Sequence, residues 1–349
     1  METKVVALCN KADNEAILKE AGRIIREGGL VAFPTETVYG LGGDALNKES
    51  SRKIYEAKGR PSDNPLIIHI SKMEDLGAIV EEIPENVYRL AEAFWPGPLT
   101  IIMKKSDKVP KETTGGLDTV AVRMSSHPVA AKFIEYAGGY VAAPSANVSG
   151  RPSPTRAKYV VEDMTGRIDM ILDGDGIDIG LESTIVDMTG AVPMILRPGY
   201  ITLDMLREVL GEVDIDKTIL DMNCKEPPKA PGMRYRHYAP KGQLTIVEGD
   251  VEKTLHRINE LTKEAHEKGE KVGIIGTEET KSRYLGDSIK SVGKRTDEES
   301  IARTLYSILR EFDDEDVTVI YSESFSDCSM GQAIMNRLLK AAGHQIIYV

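Results

Sequence analysis

Two cations stand close together in the segment AKGRPSDNPLIIHI (57–70), where Lys58 and Arg60 precede a proline. Pro61 prevents a helix from continuing, so the two side chains are expected at a helix end. Lysine supplies a point charge and arginine a planar fork of N–H donors, and both suit phosphate oxygens. The segment therefore indicates a phosphate site. The alternative is ordinary pairing of cations with a helix C-terminus.

Two polar side chains interrupt apolar runs of the sequence. Arg123 lies in TVAVRMSSHP (119–128), where a buried arginine needs an anionic partner from the protein or from a ligand. The carboxylate of an amino acid would serve. His69 lies in PLIIHI (65–70). An isolated histidine in such a strand is more often a hydrogen-bonded core residue than a ligand-binding one.

Three further stretches concentrate hydroxyl groups in predicted loops. FPTETVYGLG (33–42) carries Thr35 and Thr37, and its glycines would let a ligand approach the backbone. APSANVSGRPSPT (143–155) offers neutral donors to phosphate or ribose. The third stretch (181–199) opens one strand with a serine and closes another with an arginine. A capped turn, a polar loop and a plain β-hairpin are the respective structural alternatives.

The common nucleotide-binding and hydrolase motifs are missing from the sequence. It has no GxxxxGK[ST], no GxGxxG after a strand, no HExxH and no GxSxG. Three isolated cysteines, Cys9, Cys224 and Cys328, favour neither a disulfide framework nor a zinc site. Any ATP site must therefore be built from a non-standard set of residues.

The charge balance limits the possible partners. The chain of 349 residues has a net charge of −11, so it does not hold nucleic acid by global attraction. The stretch 225–243 is a basic exception, with five basic residues and one acidic residue. No apolar run is long enough to span a membrane, and the N-terminus lacks the features of a signal peptide. We therefore expect a cytoplasmic protein.

The hydrophobic patterns predict an α/β protein with two domains. In the first domain, strands and helices that do not strictly alternate indicate a twisted mixed sheet flanked by helices. The predicted strands span 30–34, 65–70, 98–103, 119–124, 140–143, 169–173, 183–188 and 193–197. The predicted helices span 14–28, 49–57, 85–94, 128–137, 155–163 and 202–210.

The second domain is expected to be a smaller, Rossmann-like parallel α/β unit. From residue 243, five strand-like segments alternate with helical patterns at 251–268, 297–312 and 329–341. The predicted domains are therefore 1–215 and 244–349. Between them, 216–243 reads as a basic, proline-rich linker, which we expect to cover the site.

Taken together, the five stretches resemble the YrdC-like threonylcarbamoyl-AMP synthase family, in its long two-domain form. The resemblance rests on Lys58-Gly59-Arg60, on Ser145-Ala146-Asn147, and on the segments PTETVYGLG and LESTIVD in this order. It implies that L-threonine, bicarbonate and ATP, with Mg²⁺, yield threonylcarbamoyl-AMP and pyrophosphate. It also implies that a separate transferase uses the product to modify position 37 of tRNAs that read ANN codons.

The resemblance also implies roles for individual residues. Lys58 and Arg60 are the expected catalytic cations. The expected threonine contacts are Thr37, His69, Arg123, Ala143 and Ser183. The expected ATP contacts are Arg60, Asn64, Thr119, Ser145, Ser153, Arg197 and Arg236. No metal ligand from a protein side chain is expected.

A binding module is the alternative to an enzyme. YrdC-like domains have been linked to double-stranded RNA, and the cations near Lys58 could form a basic concavity. The acidic total and the aromatic content of 5% argue against RNA binding as the main function. A weak contact with tRNA or double-stranded RNA is compatible with both interpretations.

Overall fold

The computed structural model describes residues 1–8, 11–174, 177–220, 238–325 and 330–349. The chain divides into two compact units. The first comprises Met1–Ser149, Ser153–Asp178 and Glu182–Arg234, and the second comprises Gly150–Pro152, Ile179–Leu181 and Tyr235–Val349. The division after Arg234 falls within the predicted linker, most of which lies outside the described residues.

The first unit is built on a mixed sheet, which has eleven strands in the described part of the chain. These are β1 (Lys4–Ala7), β2 (Val31–Phe33), β3 (Gly40–Asp44), β4 (Ile67–Ile70), β5 (Leu99–Lys104), β6 (Thr119–Arg123), β7 (Tyr140–Ala142), β8 (Met170–Asp173), β9 (Thr184–Asp187), β10 (Met194–Arg197) and β11 (Asp214–Ile215). Their spatial order is β1-β8-β2-β3-β7-β4-β6-β5-β9-β10-β11.

Helices cover parts of both faces of this sheet. The unit contains α1 (Lys11–Arg26), α2 (Lys48–Lys58), α3 (Glu85–Phe94), α4 (Pro128–Tyr136), α5 (Ala157–Met164), α6 (Leu203–Leu210) and α7 (Lys217–Leu220). Val31 and Phe33 pack with residues of α1 and α4, whereas Ala32 joins the larger core cluster with α2, α3, α5 and α6. The two-residue period of a strand explains this division between faces.

The second unit is a parallel α/β domain. Its sheet contains β12 (Gln243–Glu248), β13 (Val272–Gly276), β14 (Ser288–Ser291), β15 (Val319–Glu323) and β16 (Ile346–Tyr348), in the order β14-β13-β15-β12-β16. All four pairings between these strands are parallel. The connecting helices are α8 (Val251–Glu267), α9 (Glu298–Asp314) and α10 (Gly331–Ala341). The predicted fold class is therefore confirmed for both units.

The structure contains elements that the hydrophobic pattern did not reveal. The strands β1 and β11 and the helix α7 were not predicted, and each is short. The predicted glycine-rich turn after residue 39 is the buried strand β3. Glycines weaken the signal of a strand in a sequence because they have no side chain with a two-residue pattern.

Candidate active site

Four polar side chains lie in one row on the first sheet, on the strands β4, β6, β5 and β10, with Ile185 of β9 between the last two. His69 on β4 pairs in register with Arg123 on β6, and Arg123 pairs with Thr100 on β5. The neighbours Ile68, Val122 and Ile101 all belong to the core cluster on the other face. Alternation along each strand therefore places His69, Arg123 and Thr100 together on the opposite face. Arg197 completes the row.

Arg197 reaches this face because of a β-bulge. On β10, Ile195 pairs with Val186, but Arg197 and not Leu196 pairs with Ile185. The extra residue shifts the alternation by one position, so Arg197 shares the face of Ile185. Without the bulge, Arg197 would point towards the core cluster that contains Ile195.

Ser183 links Arg197 to the row. Ser183 directly precedes β9, and its hydroxyl lies 2.7 Å from the Thr100 hydroxyl. Arg197 donates from Nε to the Ser183 carbonyl at 3.0 Å and from a terminal nitrogen to the Ser183 hydroxyl at 3.1 Å. All three side chains are buried. The predicted threonine contact Ser183 and the predicted ATP contact Arg197 therefore touch each other.

The loop between β2 and β3 brings Thr37 to Arg123. Arg123 donates to the Thr37 hydroxyl oxygen at 2.9 Å, and the Thr37 and Thr35 hydroxyls lie 2.9 Å apart. Thr35 donates to the Val38 carbonyl at 2.6 Å. Among the described residues, Arg123 uses one of the two lone pairs on the Thr37 hydroxyl oxygen. Thr37 therefore keeps an accepting lone pair for a ligand.

Glu36 in the same loop provides the anionic partner that Arg123 requires. Its carboxylate lies 2.8 Å from an Arg123 terminal nitrogen, and both side chains are 5% exposed. The Ser125 hydroxyl donates to its second oxygen. Burial raises the pKa of Glu36, but Arg123 and Ser125 outweigh it and lower the pKa from 4.5 to about 2. The pair is therefore ionised at neutral pH.

His69, the member of the row on β4, is also buried. Its ring packs edge-on against Phe33, with ring centroids 6.1 Å apart, and its Nδ1 has no hydrogen-bond partner among the described residues. Burial, followed by repulsion from Arg123, lowers the pKa of His69 from 6.5 to about 3. His69 is therefore neutral at pH 7, and one ring nitrogen is left for a ligand.

Neutral His69 makes the first unit sensitive to acid. Unfolded His69 binds a proton below about pH 6.5 and folded His69 only near pH 3, so stability falls as pH falls through this window. Between about pH 6.5 and 5 we expect a loss of about 2 kcal/mol, which His69→Gln should abolish. Urea unfolding followed by the fluorescence of Trp95, the only tryptophan, reports on this unit.

The pH window and a control variant separate His69 from other groups. Glu36 changes the pH dependence of stability only below about pH 4.5, because the stability that its lowered pKa provides is lost between the unfolded value of 4.5 and the folded value of about 2. His256→Gln, at a 78% exposed side chain of the second unit, should leave the Trp95 transition unchanged. Equal pH slopes for the wild type and His69→Gln would contradict a neutral buried His69.

Lys58 and Arg60 lie at the C-terminal end of α2, as predicted, but the proline does not end the helix. The helix ends at Lys58, and the next residue, Gly59, adopts the left-handed conformation with φ of 61°. The N–H of Arg60 donates to the Tyr55 carbonyl, which completes a Schellman motif. This turn directs the chain from α2 into the loop that contains Asn64.

Lys58 is bonded to the loop that carries Ser145 and Asn147. Its ammonium group donates to the carbonyl oxygens of both residues, and the distance to Asn147 is 2.5 Å. The N–H of Ser149 donates to the Lys58 carbonyl at 2.9 Å. The side chain is 1% exposed. The two characteristic tripeptides of the family resemblance are therefore in direct contact.

Arg60 and Asn64 shape the adjoining loop. Arg60 donates to the carbonyls of Asn64 and Pro65 at 3.1 and 3.0 Å. The side-chain amide of Asn64 is buried, and neither its oxygen nor its nitrogen has a hydrogen-bond partner in the described part of the chain. A buried unpaired amide is costly, so this group is available to a ligand that offers both a donor and an acceptor.

The remaining predicted contacts lie around these groups. Ser153 donates to the Glu182 carboxylate at 2.5 Å, and both residues are buried. Thr119 opens β6, and Ala143 follows β7 and donates from its N–H to the Ile67 carbonyl at 2.8 Å. Arg236 lies outside the described residues.

Direct contacts join all five predicted stretches. Arg123 connects 119–128 to 33–42, Lys58 connects 57–70 to 143–155, and Ser153 connects 143–155 to 181–199. The N–H of Tyr39 donates to the Pro154 carbonyl at 3.0 Å, which links 33–42 to 143–155 and so joins the two groups. The expectation that glycine lets a ligand approach is wrong for Gly42. A Cβ there would lie 2.8 Å from Val141 and 3.1 Å from Phe33, so the protein itself fills the space.

A cavity of about 770 Å³ in the first unit contains none of the predicted site residues. Its cations already have partners: Arg23 bonds Glu27, Lys53 donates to the Gly28 carbonyl, and Arg167 donates to the Ala57 carbonyl. The sheet face around Arg123 is therefore the better candidate for the active site.

Comparison with known families agrees with this geometry. Residues 23–199 match the Sua5/YciO/YrdC family model, whose description is "Telomere recombination". Residues 201–343 match the model described as "Threonylcarbamoyl-AMP synthase, C-terminal domain". The chain belongs to the threonylcarbamoyl-AMP synthase family. The predicted family and its two-domain form are thus confirmed.

Relatives of this family match over nearly the whole chain. A threonylcarbamoyl-AMP synthase of Pyrococcus abyssi is 48% identical over 95% of this chain and 96% of its own length. One of Bacillus subtilis is 47% identical over 96% and 95%. The crystal structure of P. abyssi Sua5 complexed with L-threonine superposes with a TM-score of 0.93, at 46% identity, over all of both chains.

These matches confirm that the chain is an enzyme of the nucleotidyltransferase type. The family makes threonylcarbamoyl-AMP for the modification of tRNA, and the RNA-binding alternative is not favoured. In the described part of the chain, no helix has the length and apolarity needed to cross a membrane.

Proposed function

We propose that this chain condenses L-threonine, bicarbonate or CO₂, and ATP into L-threonylcarbamoyl-AMP and pyrophosphate. The threonine amine first attacks CO₂ and loses a proton, which gives a carbamate. A carbamate oxygen then attacks the α-phosphorus of ATP, and the bond from that phosphorus to the bridging oxygen breaks as pyrophosphate leaves. The product would supply N6-threonylcarbamoyladenosine at position 37 of tRNAs that read ANN codons.

The threonine pocket is proposed on the row formed by His69, Arg123 and Thr100. Arg123 would bind the substrate carboxylate through N–H groups that its protein partners do not use. Thr37 would accept a hydrogen bond, and Ser183 and the Ala143 backbone would border the ligand. Neutral His69 offers Nδ1 to a hydroxyl. A pocket that hydrogen-bonds the hydroxyl can strongly reject valine, which lacks it.

The ATP contacts are proposed around the end of α2 and the loop beyond β7. Lys58 and Arg60 would offset repulsion between the carbamate and the triphosphate, which is about 4 kcal/mol for two unit charges at about 4 Å and intermediate dielectric. Asn64, with its unpaired amide, suits the edge of a purine. Further ATP contacts are proposed at Thr119, Ser145, Ser153, Arg197 and Arg236.

Mg²⁺ is proposed to arrive with ATP and to be held mainly by phosphate oxygens. The buried carboxylates of Glu36 and Glu182 already accept hydrogen bonds, Glu36 from Ser125 and Glu182 from Ser153. When bound, the ion would neutralise charge on the phosphates. The residues around Arg123 and Lys58 are cations and hydroxyls, which fits a metal that the substrate brings.

The observation that carries the proposal is the direct contact between five distant stretches around one row of buried polar residues. Such convergence is difficult to explain as packing, because Asn64 and His69 keep unpaired buried atoms there. The threonine complex of the P. abyssi relative supports the choice of amino acid.

Pyrophosphate release tests the proposal directly. With ATP, Mg²⁺ and bicarbonate, we expect release to rise at least about tenfold when L-threonine is added, and to remain near background with L-valine. Omission of bicarbonate should suppress it. The proposal is wrong if L-threonine gives no stimulation.

Two further parts of the proposal concern partners and location. The product would pass to a separate tRNA threonylcarbamoyl transferase, and the three isolated cysteines favour a cytoplasmic enzyme. Any contact with tRNA or double-stranded RNA is proposed to be weak. Filter binding tests this point, because tight and steeply salt-dependent retention without threonine-dependent turnover would support the RNA-binding alternative.

A further inference from the structure

Glu36 is a buried charge for which the proposed reaction has no role. It is 4% exposed, and its carboxylate pairs with Arg123 and accepts from Ser125. Because Arg123 and Ser125 lower its pKa to about 2, it is a poor base for the substrate amine. Replacement of a buried ion pair by well-packed apolar side chains is often neutral or stabilising, so stability alone is a weak reason for this pair.

The contacts of Arg123 show what Glu36 does to it. The guanidinium has five N–H groups. One donates to the Gly97 carbonyl at 3.4 Å, and one donates to Thr37 at 2.9 Å. The other terminal nitrogen lies 2.8 Å from the Glu36 carboxylate as an ion pair, but its N–H groups are not aligned for a hydrogen bond to any described residue. Glu36 therefore fixes the position of one side of the guanidinium by charge and leaves the N–H groups of that nitrogen for a ligand.

Glu36 also sets the charge of the pocket. Arg123 carries +1 and Glu36 carries −1, while buried His69 is neutral because burial and Arg123 lower its pKa to about 3. Thr37, Thr100 and Ser183 are uncharged, and Arg197, which donates to Ser183, adds +1 to the row. Loss of the Glu36 charge would raise the net charge of this set from +1 to +2, and at low dielectric the added positive charge favours an anionic ligand over a zwitterion.

We propose that Glu36 is a positioning and specificity-determining residue, which orients Arg123 and offsets its charge so that the pocket selects a zwitterionic amino acid over an anionic hydroxy acid. This inference rests on the proposed function. It predicts two separable effects. Loss of the charge at position 36 should alter selectivity between ligands of different net charge. A shift of the carboxylate at position 36 away from Arg123 should weaken the binding of both ligands without altering the selectivity between them.

Calorimetric titration of the full chain tests the charge effect. The ligands are L-threonine and (R)-3-hydroxybutyrate, which lacks the amine and is a net anion. For Glu36→Gln, which has a similar shape and no charge, we expect the affinity for (R)-3-hydroxybutyrate relative to L-threonine to rise at least about tenfold. Ser125→Ala is the matched control. It removes the hydroxyl bond to Glu36 but keeps the charge, so the ratio should stay within about twofold.

Glu36→Asp tests whether Glu36 positions Arg123. It also provides a second test of the inference if Glu36→Gln does not fold. It keeps the ion pair but withdraws the carboxylate by one methylene, so L-threonine should bind about tenfold more weakly at an unchanged ratio. A wild-type ratio in folded Glu36→Gln, or wild-type affinity in Glu36→Asp, would overturn the inference. If the wild type itself fails to bind L-threonine, the proposed function is at fault instead.

Discussion

Replacement of Lys58 by methionine is expected to reduce threonine-dependent pyrophosphate release about 1000-fold. The ammonium group bonds two carbonyls of the Ser145-Ala146-Asn147 loop. Methionine fills a similar volume but provides neither charge nor donors. The reaction would therefore lose a cation that offsets the repulsion between carbamate and triphosphate, and the loop would lose its side-chain bonds to α2.

The same substitution should destabilise the first unit. A buried carbonyl oxygen of Asn147 and a partly buried one of Ser145 would lose a donor, and a buried one costs about 1–3 kcal/mol when left unpaired. Unfolding followed by Trp95 should therefore show a loss of about 2–4 kcal/mol. Lys53→Met on the same helix is the matched control. Lys53 is exposed and donates to the Gly28 carbonyl, so its loss should leave turnover within about twofold.

Lys58→Arg separates the two effects. Arginine keeps the charge and several donors but cannot reproduce a compact ammonium group between two carbonyls. We expect it to recover most of the stability and only part of the turnover. Turnover of Lys58→Met within about threefold of the wild type would show that Lys58 serves the loop and not the reaction.

The sequence predicted the regular elements of this fold because their side chains repeat with a clear period. The strands that carry His69 and Arg123 were expected from apolar runs, and the structure confirms them. β3 was missed because glycine has no side chain to show a pattern. Local hydrophobicity is sufficient to predict an element but not its partners in the sheet.

The candidate site shows the same limit. Family resemblance selected Arg197 as a site residue. Strict alternation from Ile195 would place Arg197 on the opposite face of the sheet, and only the β-bulge explains how its side chain reaches the row. Glu36 was overlooked, although an acidic residue in a buried apolar segment and an arginine in a buried strand each require a partner. The two buried charges could therefore have been recognised in the sequence as needing partners. Their pairing with each other could not, because it depends on a contact between residues 87 positions apart, which no local pattern encodes.

Replacement of Arg123 by methionine is expected to have the largest effect on the proposed reaction. The substrate carboxylate would lose its cation, and Thr37 would lose the donor that fixes its hydroxyl, so threonine-dependent turnover should fall more than about 1000-fold. Glu36 would remain as a buried carboxylate without its counter-ion. The first unit should therefore lose about 3–5 kcal/mol at pH 7.

The effect of Glu36 on the free energy of unfolding should depend on pH in the opposite direction in Arg123→Met and in the wild type. There, Arg123 and Ser125 hold the pKa of Glu36 near 2 against burial, so its stabilising effect is lost only in strong acid. Without Arg123, burial dominates and raises the pKa, and protonation relieves the unpaired charge. The deficit of Arg123→Met relative to the wild type should therefore shrink as pH falls from about 7 to 5.

A double variant distinguishes lost binding from lost folding. Arg123→Met combined with Glu36→Gln removes both charges, so Trp95 should report recovery of most of the stability. Threonine-dependent turnover should not recover, because no cation is left for the carboxylate. Recovery of turnover together with stability would mean that Arg123 serves only the fold, and the carboxylate site would then have to lie elsewhere on the row.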